Sequence, residues 1–511
     1  MVLVKPSPYA TVAPFLETGD LPSWVPDIEE RTRVASYAFY ERIWRNVQDA
    51  FKLVQRGSED NPIYIPSAKK CIDATNRYLG VGFNWTLSGG SEADRLLASD
   101  AIDVLFKREK FRSKFSSLKR FGLIRGDALW HIVADSTAPV GRRISMHELD
   151  PSKYHPIYDP DDIDKLTGVH IVEQWVDPAD KNKAYVRRQT YRKVPVVNGP
   201  NKITSELTIF EADGWDDRQV LLNPDYKLKP FKSITKQFEL PEQISSIPVY
   251  HVPNGYQGGH PFGISDLSGF ERVIAAINQS INDEDLTLAL DGLGVYWTTA
   301  PRPSGGWALG PGSVIEGSDA EGFERVSGVA NVKPSQDHLG YLGRELKEAM
   351  GTPDIAIGNV DVSIAQSGIA LALQMSPIIS RNMEKEETIL AVHDNLFFDL
   401  INGWFPAYDE LSLSGLISSN PMFASPMPVD RDAVIKEVLA LLTSTPPVIS
   451  VQYARKLLTE KLGYEFPSEM DADIIAVMET QSKANAFDSF EERIRAELAS
   501  QAGEVGIVVG S

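Results

Sequence analysis

Residues Gly351 to Phe405 read GTPDIAIGNVDVSIAQSGIALALQMSPIISRNMEKEETILAVHDNLFFDLINGWF, and the rest of the chain is organised around that stretch. Gly351, Pro353 and Gly358 break any regular structure at its start. From Ser367 to Phe405 the pattern supports a helix of almost forty residues. At ~1.5 Å per residue it spans roughly 55 Å, several times the length of an average globular helix. Pro377 should kink it about ten residues in, because its ring removes a backbone donor and crowds the preceding turn.

Immediately upstream, Leu339, Leu342 and Leu346 mark one face of a shorter helix that ends at Met350. Before it, residues 292–334 are dense in glycine, with short β-prone runs at Val295 to Trp297 and Val314 to Ile315, which predicts a small β-rich insertion. The insertion is entered from another helix, whose face is marked by Phe270, Ile274, Ile277, Ile281 and Leu288. Ser268 and Glu271 have the spacing of a capping box at its start.

Residues 126–252 carry short β-prone runs (Ala128 to Val133, Val169 to Val176, Ala184 to Tyr191, Glu206 to Glu211) separated by Pro, Gly and Asp. Helices are expected over Arg31 to Val54, Ser67 to Leu79 and Glu92 to Phe121. The fold class is therefore α+β and mainly helical, without the strand–helix alternation of a nucleotide-binding sheet. Residues 1–30 are rich in proline and read either as an extended arm lying across a neighbouring subunit or as a loosely ordered terminus. Helical patterns return at Arg431 to Leu442, Ser450 to Leu462 and Met470 to Ala499.

At 511 residues the chain needs more than one packed unit. It contains no apolar run long enough to span a bilayer and no N-terminal secretion signal, so a cytoplasmic site of synthesis and no membrane partner are expected. Cys71 is the only cysteine and reads as a buried small apolar residue, the alternative being a reactive thiol. The net charge of −19 has the wrong sign for gripping phosphates, so any DNA partner would be guided rather than held.

Enzyme signatures fail in turn: there is no phosphate-binding loop, no zinc helix and no nucleophile elbow. His131, His147, His155 and His170 fit no standard metal spacing. The carboxylates Asp159 to Asp164 lack the glycine and terminal glutamate of a calcium loop and read as a solvated turn, a cation site being the alternative. No catalytic residue, cofactor or metal is expected.

The order of these parts resembles the portal proteins of tailed bacteriophages. Gly263-Ile264-Ser265-Asp266-Leu267, followed by the polar run Asn278, Asn282, Asp283, Glu284 and Asp285, looks like that family's entry to its first stem helix. Ser367-Gly368-Ile369-Ala370-Leu371 looks like the start of its long helix, while Gly126 to Leu129 and Leu149 to Asp159 look like its wing strands.

The resemblance implies an N-terminal arm (1–30), a wing (31–264), stem helix 1 (265–291), a clip (292–334) and stem helix 2 (335–352). A tunnel loop (353–366), a long kinked wing helix with its return segment (367–425) and a helical crown and tail (426–511) would complete the chain. It further implies a ring of about twelve copies, through which double-stranded DNA passes at the unique portal vertex of a virion assembled in the host cytoplasm. Its partners would be the major capsid and scaffolding proteins, the large subunit of the terminase, and head–tail adaptor or neck proteins.

On that basis Asp354, Asn359, Asp361, Ser363 and Gln366 would face DNA from the tunnel loop, and Asp283, Glu284, Arg344 and Lys347 would line the stem. Arg302, Trp307, Arg325 and Lys333 would meet partners from the clip. Two other readings compete: a soluble α+β enzyme with a helical cap, for which Asp159 to Asp164 is the one nominated site, and a different ring-forming head or neck protein.

Overall fold

The computed structural model describes residues 7–17, 21, 27–47, 50–51, 53–54, 62–176, 184–196, 199, 201–212, 236–255, 260–293, 295–298, 323–326, 333–359, 368–424, 431–444 and 448–462. The chain divides into two units, Met1–Pro426 and Met427–Ser511.

The first unit opens with α1 (Ile28–Trp44), capped by the Asp27 carboxylate on Glu30 N, and α2 (Ser67–Tyr78). Strand β1 (Asn84–Gly89) leads into α3 (Glu92–Glu109), which starts at a reciprocal capping box between Ser91 and Asp94. The sequence predicts one helix over Glu92 to Phe121, but Lys110 sits at φ 53° and divides it into α3 and α4 (Phe111–Arg125). The turn is held by the aromatic stack of Phe106 on Phe111, with centroids 3.8 Å apart.

Strands β2 (Asp127–Ala134), β3 (Ile144–Leu149), β4 (Tyr154–Asp159), β5 (Asp162–Val176), β6 (Ala184–Val194), β7 (Lys202–Ala212), β8 (Lys236–Glu239) and β9 (Val249–Pro253) follow. They form two antiparallel sheets, ordered β3-β2-β9 and β4-β5-β6-β7-β8. The four strands predicted between residues 126 and 252 are present, and β5 to β7 extend beyond the residues whose patterning marks them; the β-prone run Val314 to Ile315 lies outside the described residues. Asp159 and Asp162 flank the tight turn between β4 and β5, Asp164 lies in β5, and Lys165 Nζ sits 2.6 Å from Asp159. The cluster therefore serves as a charged turn.

Beyond the sheets come α5 (Glu271–Leu293), a short hairpin of β10 (Val295–Thr298) with β11 (Phe323–Val326), and α6 (Lys333–Ala349). A 3-10 turn at Asp354–Ile357 precedes α7 (Gly368–Asp399), which contains Pro377. This helix runs through a π-helical turn, Leu400–Trp404, into α8 (Phe405–Tyr408), so the forty-residue helical stretch is present but changes winding near its end. Strand β12 (Ile417–Met422) returns to pair with β1. The second unit contains α9 (Arg431–Thr443) and α10 (Val451–Leu462), and the expected helix at 470–499 lies outside the described residues.

The main core forms where the later part of α7 meets the helices and sheet of the wing-like region. Phe397, Leu396 and Leu400 enter an aromatic cluster with Phe83, Phe106, Phe111, Phe115 and Trp130. His393 is fully buried there, accepting from Trp130 Nε1 at 3.1 Å and donating through Nδ1 to Ile389 O at 2.7 Å. Burial pushes its pKa down to about 4, so it is neutral at pH 7.

Residues 7–17 pack on their own chain, with Tyr9 and Val12 buried in or beside this core. Cys71 is buried in it, and burial pushes its thiol pKa up. Among the described residues, no helix is long and apolar enough to cross a membrane.

Candidate functional site

The segment from Gly263 to the start of α7 brings together most of the described candidate residues. It begins where two backbones cross. A Cβ on Gly263 would lie 2.1 Å from Gly126 O and 2.3 Å from Asn254 N, so no larger residue fits. The chain then passes through two tight turns, closed by Ser268 N on Ser265 O and Phe270 N on Leu267 O: Ser265 Oγ donates to Ile124 O, Asp266 N donates to Leu123 O, and Gly269 at φ 88° leads into α5.

The helix expected from 265 therefore starts at Glu271. The predicted capping pair is otherwise employed: Ser268 pairs with the Thr11 hydroxyl, and the Glu271 carboxylate accepts from Tyr40 OH at 2.7 Å.

Asp266 ties this entry to the long helix. Its buried carboxylate accepts from Lys385 Nζ on α7 at 2.5 and 2.6 Å and from Asn254 Nδ2 at 2.8 Å, with Arg381 at 3.3 Å. Burial opposes ionisation of Asp266, but Lys385 and Arg381 outweigh it and hold the pKa below the usual carboxylate range. Arg381 also donates to Met350 O at the end of α6. The start of α5, the end of α6 and the middle of α7 thus converge on one buried charged group.

From this base α5 and α6 form an antiparallel hairpin. Gln336, near the start of α6, donates to Glu284, late in α5, at 2.9 Å. Burial falls along the pair: Ile274 and Leu346 are each 1% exposed, whereas Leu288 and Tyr341 are 47% and 53% exposed. Ile281, Leu339 and Leu342 pack against the core, whereas Tyr341, midway along α6, and Leu288, farther out on α5, are exposed.

The amide-rich middle of α5 clamps a strap. Asn282 accepts from Ile63 N at 2.7 Å and donates to Ile63 O at 2.9 Å, as a neighbouring strand would. Asn278 accepts from Ile65 N, and Gln279 accepts from Val54 N. This role was missed in the sequence, although three amides at helix positions i, i+1 and i+4 are a legible signal for side chains that pair with backbone.

The candidate channel charges are largely paired within the chain. Asp283 accepts from Gln279 at 2.9 Å, Glu284 accepts from Gln336, and Lys347 lies 2.6 Å from Asp354, joining α6 to the following turn. Arg344 and Asn359 are exposed. Lys333 pairs with Asp337 at 3.3 Å, and Arg325 lies in β11 opposite Tyr296. Arg302, Trp307, Asp361, Ser363 and Gln366 lie outside the described residues.

No family model matches the sequence, and a search of curated proteins finds no match. Among solved structures, the chain is similar to one from the neck of an empty gene transfer agent particle computed with C6 symmetry. That match has 12% identity, 77% of this chain and 90% of that chain covered, and a TM-score of 0.43. It is also similar to a chain of the virion of a native gene transfer agent particle (12% identity, 83% and 93% covered, TM-score 0.42). A third, from the neck of the native particle computed with C12 symmetry, has 12% identity, 77% and 89% covered, and a TM-score of 0.41. Likeness of this degree does not establish a shared fold, and the functional reading rests on the chain's own geometry.

Proposed function

We propose that the chain is the portal subunit of a tailed-phage-type particle. In this reading it is a structural protein whose copies close into a ring of about twelve around a DNA channel at one capsid vertex. The ring would serve genome packaging with a terminase, joining of head to tail, and ejection.

The observation that carries the reading is the helical hairpin of α5 and α6: its base is pinned to the long helix by Asp266, and its apolar residues Leu288 and Tyr341 are exposed in the single chain. A ring of identical subunits buries such faces by repeating one heterologous contact until it closes. Capsid, scaffolding and neck proteins would contact its outside. Asp354, Asn359, Asp361, Ser363 and Gln366 would border the channel, with Arg344 exposed on the stem.

Twelve copies, each at −19, would carry a formal charge of about −228. Such a ring repels phosphates and lets DNA slide. The energy for movement would come from the terminase. The enzyme reading has less support: in its nominated cluster Asp159 pairs with Lys165 beside a tight turn.

End-on electron-microscopy class averages of the purified protein test the proposal. Rings of about twelve subunits around a central opening support it, while particles with no opening overturn it.

A further inference from the structure

The five-stranded sheet carries a polar ladder that the portal reading leaves unused. His155, His170, Thr190, Glu206 and Gln237 stand opposite one another on β4 to β8. Because side chains alternate along a strand, Arg188 and Arg192 share the face of Thr190 on β6. The opposite face, with Val169, Tyr191 and Ile203, belongs to an apolar cluster. Along the ladder the sheet forms a cleft of about 390 Å³, with Pro156 and Ile157 also in its lining. That volume is within the range of small-ligand sites.

The charges in the cleft are unevenly satisfied. Glu30 is held by Arg33 at 2.8 Å and His155 at 2.7 Å. Glu206 lies 3.9 Å from Arg188 and accepts from Gln237 at 3.1 Å. Arg192 makes no ion pair among the described residues, although the chain as a whole is strongly acidic. Two guanidinium groups, Arg188 and Arg192, and two carboxylates, Glu30 and Glu206, line the cleft, and Glu30 is already taken up by Arg33 and His155. Burial, then Arg188 and Arg192, push the His170 pKa down to about 4, with His155 adding to the effect and Glu30 opposing it. The His170 ring and the Thr190 hydroxyl are hydrogen-bonded at 2.8 Å beside the two arginines.

We propose that this cleft binds a ligand with an oxyanion head, a carboxylate or a phosphate, held by Arg192 and Arg188 beside Thr190. Arginine forks match such groups in shape as well as charge. The apolar floor at Pro156 and Ile157 would accept the body of the ligand.

The test is calorimetric titration of the purified full-length protein at pH 7 and low salt with three probes: inorganic phosphate, acetyl-Gly-Glu-Gly-amide, and its glutamine counterpart. The expected result is that phosphate, the glutamate peptide or both bind, that the glutamine peptide does not, and that Arg192→Gln weakens binding about tenfold or more. Arg192→Lys, which keeps the charge, should lie between. Phosphate alone would identify a free-anion site, and the glutamate peptide alone an acidic side chain as the natural occupant. Binding by neither, equal binding of the glutamine peptide, or binding unchanged in folded Arg192→Gln and Arg188→Gln variants would overturn the proposal.

Discussion

The base and the tip of the α5–α6 hairpin are built from similar residues and held in opposite ways. At the base, Asp266 is buried against Lys385 and Arg381, and Ile274 and Leu346 are sealed in the core. Towards the tip, Glu284 meets Gln336 and Lys333 meets Asp337 in solvent, and Leu288 and Tyr341 are exposed. Buried charges must be paired because nothing else replaces their lost water, whereas exposed pairs gain little over solvent. The base therefore fixes where the hairpin points, and the tip remains available for contacts outside the chain.

The largest expected effect breaks the base. Asp266→Ala leaves Lys385 and Arg381 without their carboxylate in the interior and should cost on the order of 3–5 kcal/mol. Denaturant unfolding of the purified variant checks this, and a loss below about 1 kcal/mol would show that the base is no anchor. A second effect acts through the core next to α7. The pKa of His393 is about 4 in the folded state against 6.5 in a free histidine, so the unfolded chain takes up the proton first. Stability should fall by on the order of 2–3 kcal/mol as the pH drops from 6.5 to 4. His131 and His170, also pushed down to about 4, act with the same sign. In melting temperatures measured across that range, His393→Gln should show a shallower acid dependence than the parent.

Midway along the hairpin, Asn282→Ala removes both strap bonds to Ile63 and should cost about 1–2 kcal/mol. It should also raise the hydrogen-exchange rate of the Ile63 amide. Nearest the tip, Lys333→Ala removes only the exposed pair with Asp337 and should change stability by less than about 1 kcal/mol. A larger change would mean that this end is as fixed as the base, and the contrast between them would fail.

What could be read in the sequence follows the same division. The helices α5, α6 and α7 were legible because their buried faces repeat at three- and four-residue steps, and β2 and β5 to β7 because β-branched and aromatic residues cluster between breakers. The break at Lys110 was not, since a left-handed lysine has no composition signal and is imposed by the stacking of Phe106 on Phe111. The β1–β12 pair was missed because Ile417 to Met422, ISSNPM, shows little strand character and gains it only by pairing with residues from the opposite end of the unit. Of the candidate site, the order of parts was legible. The partners of Asp266, Lys347 and the α5 amides were not, because each depends on a contact distant in sequence or on a turn geometry that composition does not specify.

The central claim is that this chain closes on itself into a ring, and native mass spectrometry of the purified protein tests it most directly. Twelve copies of a 56.5 kDa chain predict a dominant species of about 680 kDa. A population that stays monomeric or dimeric at every salt and protein concentration tried would contradict it.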